Sequence, residues 1–270
     1  MPRCRLSSTG MRMGGIMRVC ARIMAFTLAA LTVFASGRAI AEDRIELSSR
    51  PNVTQPILFQ STSSSVASVV LFPGGNGVIT VERQNFLLRV RGAFASQGIS
   101  VAAIDAPSDH ASGLSDDYRA SADAALDLAA VVAFLKAKAP VSVWLVGTSR
   151  GTISAANGAA RLGPSQVGGV VLTSSVWNHG MERVPLASIA VPTLIVHNRQ
   201  DGCVASPPSG AEPALAALAA APAKQLVFVS GGTPKGNPCG ALSPHGYYGI
   251  ENQVVPVVID WIKHHNPPTQ

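Results

Sequence analysis

The sequence predicts an α/β protein built on a mostly parallel sheet with helices on both faces. Segments rich in apolar and β-branched residues alternate with helix-like segments along the chain. The strand-like segments are near-continuous apolar runs rather than alternating ones, as expected of strands covered on both sides. In addition, each polar cluster of chemical interest follows one of those runs, and parallel sheets form their sites at the carboxyl ends of strands.

Residues 1–41 read apart from the fold. Arg3, Arg5, Arg12, Arg18 and Arg22 precede an apolar run, Ile23 to Ala35, too short to span a bilayer as a helix. Ala39-Ile-Ala41 then offers a small-residue cleavage site before Glu42. The expectation is a secretory signal peptide, with a retained membrane anchor as the alternative. This segment holds six of the 21 Lys and Arg and none of the 15 acids, so residues 42–270 carry 15 of each. A balanced charge argues against a nucleic-acid partner. Residues 42–270 suit a single domain, large enough to bury a core without a metal or a dense set of disulfides. Cys203 and Cys239 fall in this part of the chain. In an exported protein, two cysteines point to one disulfide. The expected location is therefore secreted or periplasmic, with no stable membrane anchor after signal cleavage.

The elements follow in order. After a polar start, Pro56–Gln60 and Ser65–Phe72 read as strands, the second breaking into the turn cluster Pro73-Gly-Gly-Asn-Gly77. Helical spacing runs from about Glu82 to Gln97, with Phe86, Leu87, Val90 and Phe94 on one side. Ile99–Ile104 is a buried-type strand. Ser115 is placed to cap a helix that begins with Asp116 and Asp117 and continues to about Ala137. Strands follow at Val141–Gly147, Gly169–Thr173, Val191–Val196 and Gln225–Val229. Helices are expected over Thr152–Leu162, Glu212–Ala221 and a last segment ending near His264. Between Thr173 and Val191 there is no room for a substantial lid, so the site is expected to be open.

Gly147-Thr-Ser149-Arg-Gly151 stands between the strand ending at Gly147 and the small-residue helix after it. A strand, a tight turn and a helix leave Ser149 at the apex, with glycines where the two elements pass closely. A serine hydroxyl is a weak nucleophile until a base takes its proton. His245, in a Gly- and Pro-rich loop after the last strand, is the candidate base. Asp201, one strand earlier, is the candidate carboxylate that orients it. Two N–H donors are needed for the oxyanion of a tetrahedral intermediate. The Arg150 N–H is one, and the Gly75 N–H is the other, with Asn76 as the alternative. Cys203 and Cys239 flank the acid and base loops, so their bridge would hold Asp201 and His245 in register.

With these parts in the order Ser149, Asp201, His245, the chain from about residue 57 to 265 resembles the α/β-hydrolase superfamily. Its open proportions are similar to small exported esterases and dienelactone-hydrolase-like enzymes. The resemblance implies Ser149 as nucleophile, Asp201 as acid, His245 as base, and Gly75 and Arg150 as oxyanion donors. The chain has Pro73 where many members have His. It has Arg150 where many have a small or apolar residue, which would place a cation at the rim of the site.

The implied activity is hydrolysis of a carboxylic ester, of a small molecule or a polymer, through an acyl-enzyme. Amide or peptide cleavage by the same triad and a catalytically idle binding protein are the alternatives. No cofactor or metal is required, since the sequence has neither H-E-x-x-H nor paired C-x-x-C, and no phosphate loop. Asn76, Trp177, His179 and the loop from Asp105 to Leu114 are candidates for pocket lining. Asp105 and Asp109 follow a strand but precede Ser149, which suits loop shaping better than a triad role. His110 and His179 are outside candidates for the base. Asp260, His264 and His265 fit a solvated last helix, and Trp144 fits the core.

Overall fold

The computed structural model describes residues 42–266. The expected signal peptide, residues 1–41, lies outside the described residues.

Eight strands form one sheet in the order β1-β2-β4-β3-β5-β6-β7-β8. They are β1 (Glu42–Arg50), β2 (Val53–Gln60), β3 (Ala67–Phe72), β4 (Ile99–Ile104), β5 (Val143–Thr148), β6 (Gly169–Thr173), β7 (Thr193–Asn198) and β8 (Lys224–Val229). Strands β3 to β8 are mutually parallel, while β2 runs antiparallel to both β1 and β4. Among the described residues, six α-helices accompany them: α1 (Phe86–Ser96), α2 (Asp116–Arg119), α3 (Ala122–Lys138), α4 (Gly151–Leu162), α5 (Ala211–Ala217) and α6 (Glu251–His265).

The two faces of the sheet carry separate cores. Val70, Leu145, Leu172 and Ile195 point to the side of α3, α4 and α5. Val69, Leu71, Trp144, Val146, Val171, Leu194 and Val196 point to the side of α1 and α6. The strands thus keep the two-residue period of a pleated sheet, although both phases of it are apolar. Trp144 is a core residue, and its ring lies where a Cβ on Gly169 would stand.

Helices α1 and α5 are shorter than expected, beginning at Phe86 and ending at Ala217 respectively, and two further differences bear on the layout. The polar segment 42–50 is strand β1, an edge strand that turns only Ile45 and Leu47 toward the core. Its turn into β2 places Asn52 at φ 58°, a backbone region that Asn tolerates better than most residues. The helix expected from Ser115 to about Ala137 is two helices. Ser115 caps α2 by accepting from Tyr118 N–H, and Ser121 caps α3 by accepting from Ala124 N–H. The break lets the Arg119 side chain turn into the interior, where it is 1% exposed.

Between β6 and β7 the chain makes only two short 3₁₀ turns, Met181–Arg183 and Leu186–Ser188, so there is no substantial lid. No described helix is long and apolar enough to cross a membrane.

Candidate active site

Ser149 sits between β5 and α4 at φ 53°, a left-handed conformation that costs a non-glycine residue of order 1 kcal/mol or more. Its N–H donates to Thr173 O on β6, and its carbonyl accepts from Thr152 N–H and Oγ1. The flanking glycines are required by space. A Cβ on Gly147 would lie 2.6 Å from Gly151 O, and one on Gly151 would lie 2.1 Å from Phe72 O. The turn therefore presses against the end of β3, and the Gly74 backbone after β3 lies against the Ser149 side chain.

The three residues expected from the sequence come together at this turn. Ser149 Oγ is 2.9 Å from His245 Nε2, and His245 Nδ1 is 2.8 Å from Asp201 Oδ2. His245 lies in a 3₁₀ turn, Pro244–Gly246, held to the end of β7 by Asn198, whose side-chain amide donates to Pro244 O. Asp201 follows β7. Burial pushes the Asp201 carboxyl up, but His197, His245 and the Cys203 N–H outweigh it and bring it down to about 2. An ionised Asp201 can only accept, so His245 Nδ1–H donates to it, and Nε2 is left to accept the Ser149 proton.

The surroundings of the acid and base are dense. Asp201 Oδ1 accepts from Cys203 N–H at 2.9 Å, and Oδ2 also accepts from Ser206 Oγ at 3.0 Å. Cys203 and Cys239 form a disulfide, which ties the acid loop to the segment leading into His245. Ser174, at φ 44°, donates its hydroxyl to His245 O at 2.7 Å. Tyr247 OH accepts from Ser174 N–H and donates to Val196 O. His197 on β7 is fully buried, 3.5 Å from Asp201 Oδ2, and its Nε2–H donates to Ser206 O. Sequence reading missed Ser174, His197, Ser206 and Tyr247. The position of Ser174, directly after β6, was the one usable signal.

The expected oxyanion donors fall beside the turn. Gly75 has φ 59°, and neither its N–H nor that of Arg150 has an acceptor among the described residues. The Asn76 N–H is taken up by Glu82 Oε1 at 2.9 Å, and the Asn76 side chain accepts from Val78 N–H. Asn76 is therefore a turn residue rather than an alternative donor.

The Arg150 side chain corrects an expectation. It is not a free cation at the rim but is bound to Asp116 Oδ1 at 2.8 Å and to the carbonyls of Gly75 and Leu114. Asp116 Oδ2 also holds His179 Nε2 at 3.0 Å. Trp177 stacks on His197, with ring centroids 6.3 Å apart. Asp105 accepts from Ile79 N–H and Arg44, Asp109 pairs with Arg50, and His110 lies on Tyr118.

This architecture is the α/β-hydrolase fold, with a Ser, a His and an Asp in hydrogen-bonded series at the carboxyl edge of its sheet. The solved structures it resembles share the fold. A dienelactone hydrolase from Anabaena variabilis aligns with TM-score 0.65 and 18% identity, over 83% of this chain and 97% of that one. An esterase from Pyrococcus furiosus aligns with TM-score 0.61 and 15% identity, over 84% and 91%. An α/β serine hydrolase without lid from Xanthomonas campestris aligns with TM-score 0.61 and 16% identity, over 85% and 97%. No protein-family model and no curated sequence matches the chain.

Proposed function

We propose that this chain is a serine hydrolase that cleaves carboxylic esters. The observation that carries the reading is the Ser149–His245–Asp201 series, with hydrogen bonds of 2.9 and 2.8 Å ending on a carboxylate held ionised. His245 Nε2 takes the Ser149 proton as Oγ attacks the ester carbonyl. The Gly75 and Arg150 N–H groups receive the developing oxyanion. The alcohol leaves with the proton from His245, and water then releases the acid from Ser149 by the same steps in reverse.

The solved structures that share the fold include enzymes described as esterases, which supports ester over amide as the bond cleaved. The open site, with only short turns between β6 and β7, suits a small or a polymeric ester. We propose a secreted or periplasmic location after removal of residues 1–41, and the disulfide supports it.

A fluorophosphonate probe tests the reading. The mature protein should be labelled and Ser149→Ala should not. A folded protein that stays unlabelled, or a label that persists in Ser149→Ala, would refute it. Faster turnover of chromogenic peptides than of p-nitrophenyl esters would replace the esterase reading with a peptidase.

A further inference from the structure

One peptide beside the site is gripped at both ends by charged side chains. The Gly75 carbonyl accepts from Arg119 Nη2 at 3.2 Å and from Arg150 Nη1 at 3.1 Å. The N–H of the same peptide, on Asn76, donates to Glu82 Oε1 at 2.9 Å. Two cations on the oxygen and an anion on the hydrogen follow the direction of the peptide dipole.

This is the middle peptide of a β-turn closed by Gly77 N–H on Gly74 O at 3.1 Å. The middle peptide is the one that can turn over between related turn types while the closing bond stays. At Gly75, with φ 59° and no Cβ, the resistance to turning over is small. The Gly75 N–H belongs to the preceding peptide, whose carbonyl, Gly74 O, accepts the closing bond, so a middle peptide held at both ends keeps the whole turn in the shape that directs that N–H.

The grip is costly to build. Arg119 is fully buried, its Nη1 donates to Ser154 Oγ, and its Nε has no partner among the described residues. Burial, and then the like charge of Arg150, pull its guanidinium down to about 9. Asp116 and Glu82 are the acids that oppose this. For packing alone, an apolar side chain would fill the space at lower cost.

We propose that Arg119, Arg150 and Glu82 act as positioning residues that clamp the Gly75–Asn76 peptide and so aim the Gly75 N–H at the oxyanion. The inference rests on the serine-hydrolase reading. Its test is hydrolysis of p-nitrophenyl acetate by the unmutated protein and by Glu82→Ala, Glu82→Gln and Arg119→Met, each checked for folding by circular dichroism. Loss of a whole oxyanion donor costs about 100-fold to 1,000-fold in kcat, so a misaimed one should cost about 30-fold.

Glu82→Ala should show that loss in kcat with KM within about twofold. Glu82→Gln, which keeps an oxygen for the Asn76 N–H, should recover to within about fivefold of the parent. Arg119→Met should lose at least as much as Glu82→Ala. If it does not fold, the Glu82 pair decides. Folded variants with parental kcat, losses confined to KM, or Glu82→Gln no better than Glu82→Ala would overturn the clamp while leaving the hydrolase reading intact. An unmutated protein that neither turns over the ester nor takes a fluorophosphonate would overturn both.

Discussion

Cys203 donates its backbone N–H to Asp201 Oδ1 at 2.9 Å, so the disulfide ends on a residue that itself holds the acid. Cys239, at the other end, lies in the segment that leads into His245. The bridge spans a sequence separation of 36 and joins two loops that no shared strand or helix connects.

Cys239→Ser tests this link. The chain-entropy account gives such a crosslink roughly 4 kcal/mol of stability, and the melting temperature should fall accordingly. Assayed well below melting, at matched folded fraction, the variant should also lose several-fold in kcat as the base loop loosens. Parental kcat under those conditions would reduce the bridge to a stability element.

Ser174→Ala removes the hydroxyl that holds His245 O. It leaves a buried carbonyl without that donor, which should destabilise the protein by about 1–2 kcal/mol, measured by denaturant unfolding. The base should lose its fixed height over Ser149, with kcat down about tenfold and KM little changed. Ser174→Gly would relieve the strain at φ 44° yet show the same loss in kcat, which separates the hydroxyl from the backbone effect.

The Asp201 carboxyl also sets an acid limit on stability. Its folded value, about 2, lies below the ordinary carboxylate range. A depressed acid contributes stability above the unfolded value, near 4, and that contribution fades as pH falls toward 2. The contribution is roughly 2 kcal/mol. Asp201→Asn should therefore unfold with less pH dependence between about pH 4 and 2, and should lower kcat about 1,000-fold or more because the amide cannot stabilise an imidazolium.

Gly151→Ala would drive a methyl group into Phe72 O, and Gly74→Ala would drive one into the Ser149 side chain. The first collision is backbone on backbone and should unfold the protein or cost over about 3 kcal/mol. The second is with the nucleophile itself. Gly74→Ala should keep more of its melting temperature than Gly151→Ala while losing labelling at Ser149.

The site was legible in the sequence where chemistry and chain order coincide. Ser149, Asp201 and His245 each follow an apolar run, and each is of a type that the others require. Parallel strands were legible because both faces are apolar, as at Val69 and Val70. The edge strand β1 was not, since only Ile45 and Leu47 mark it, and its Arg44 and Glu46 pair in solvent. Arg119 and Glu82 were invisible for another reason. Both take their meaning from the Gly75–Asn76 peptide that they bind, which no periodicity or motif around either residue signals. Arg150 was misjudged as a rim cation because Asp116, which binds it, sits in a helix that the sequence ran together with the next.

The separation of Ser149 from its partners along the chain also orders its assembly. The elements that build the turn around Ser149, from β3 to β6 with α4, all precede Asp201 and His245 in the chain. A hydroxyl without its base is weakly nucleophilic, so the turn by itself is idle. Its reactivity depends on the last segment of the fold, where the chain beyond β8 packs on the end of β7 and sets His245 beside Ser149.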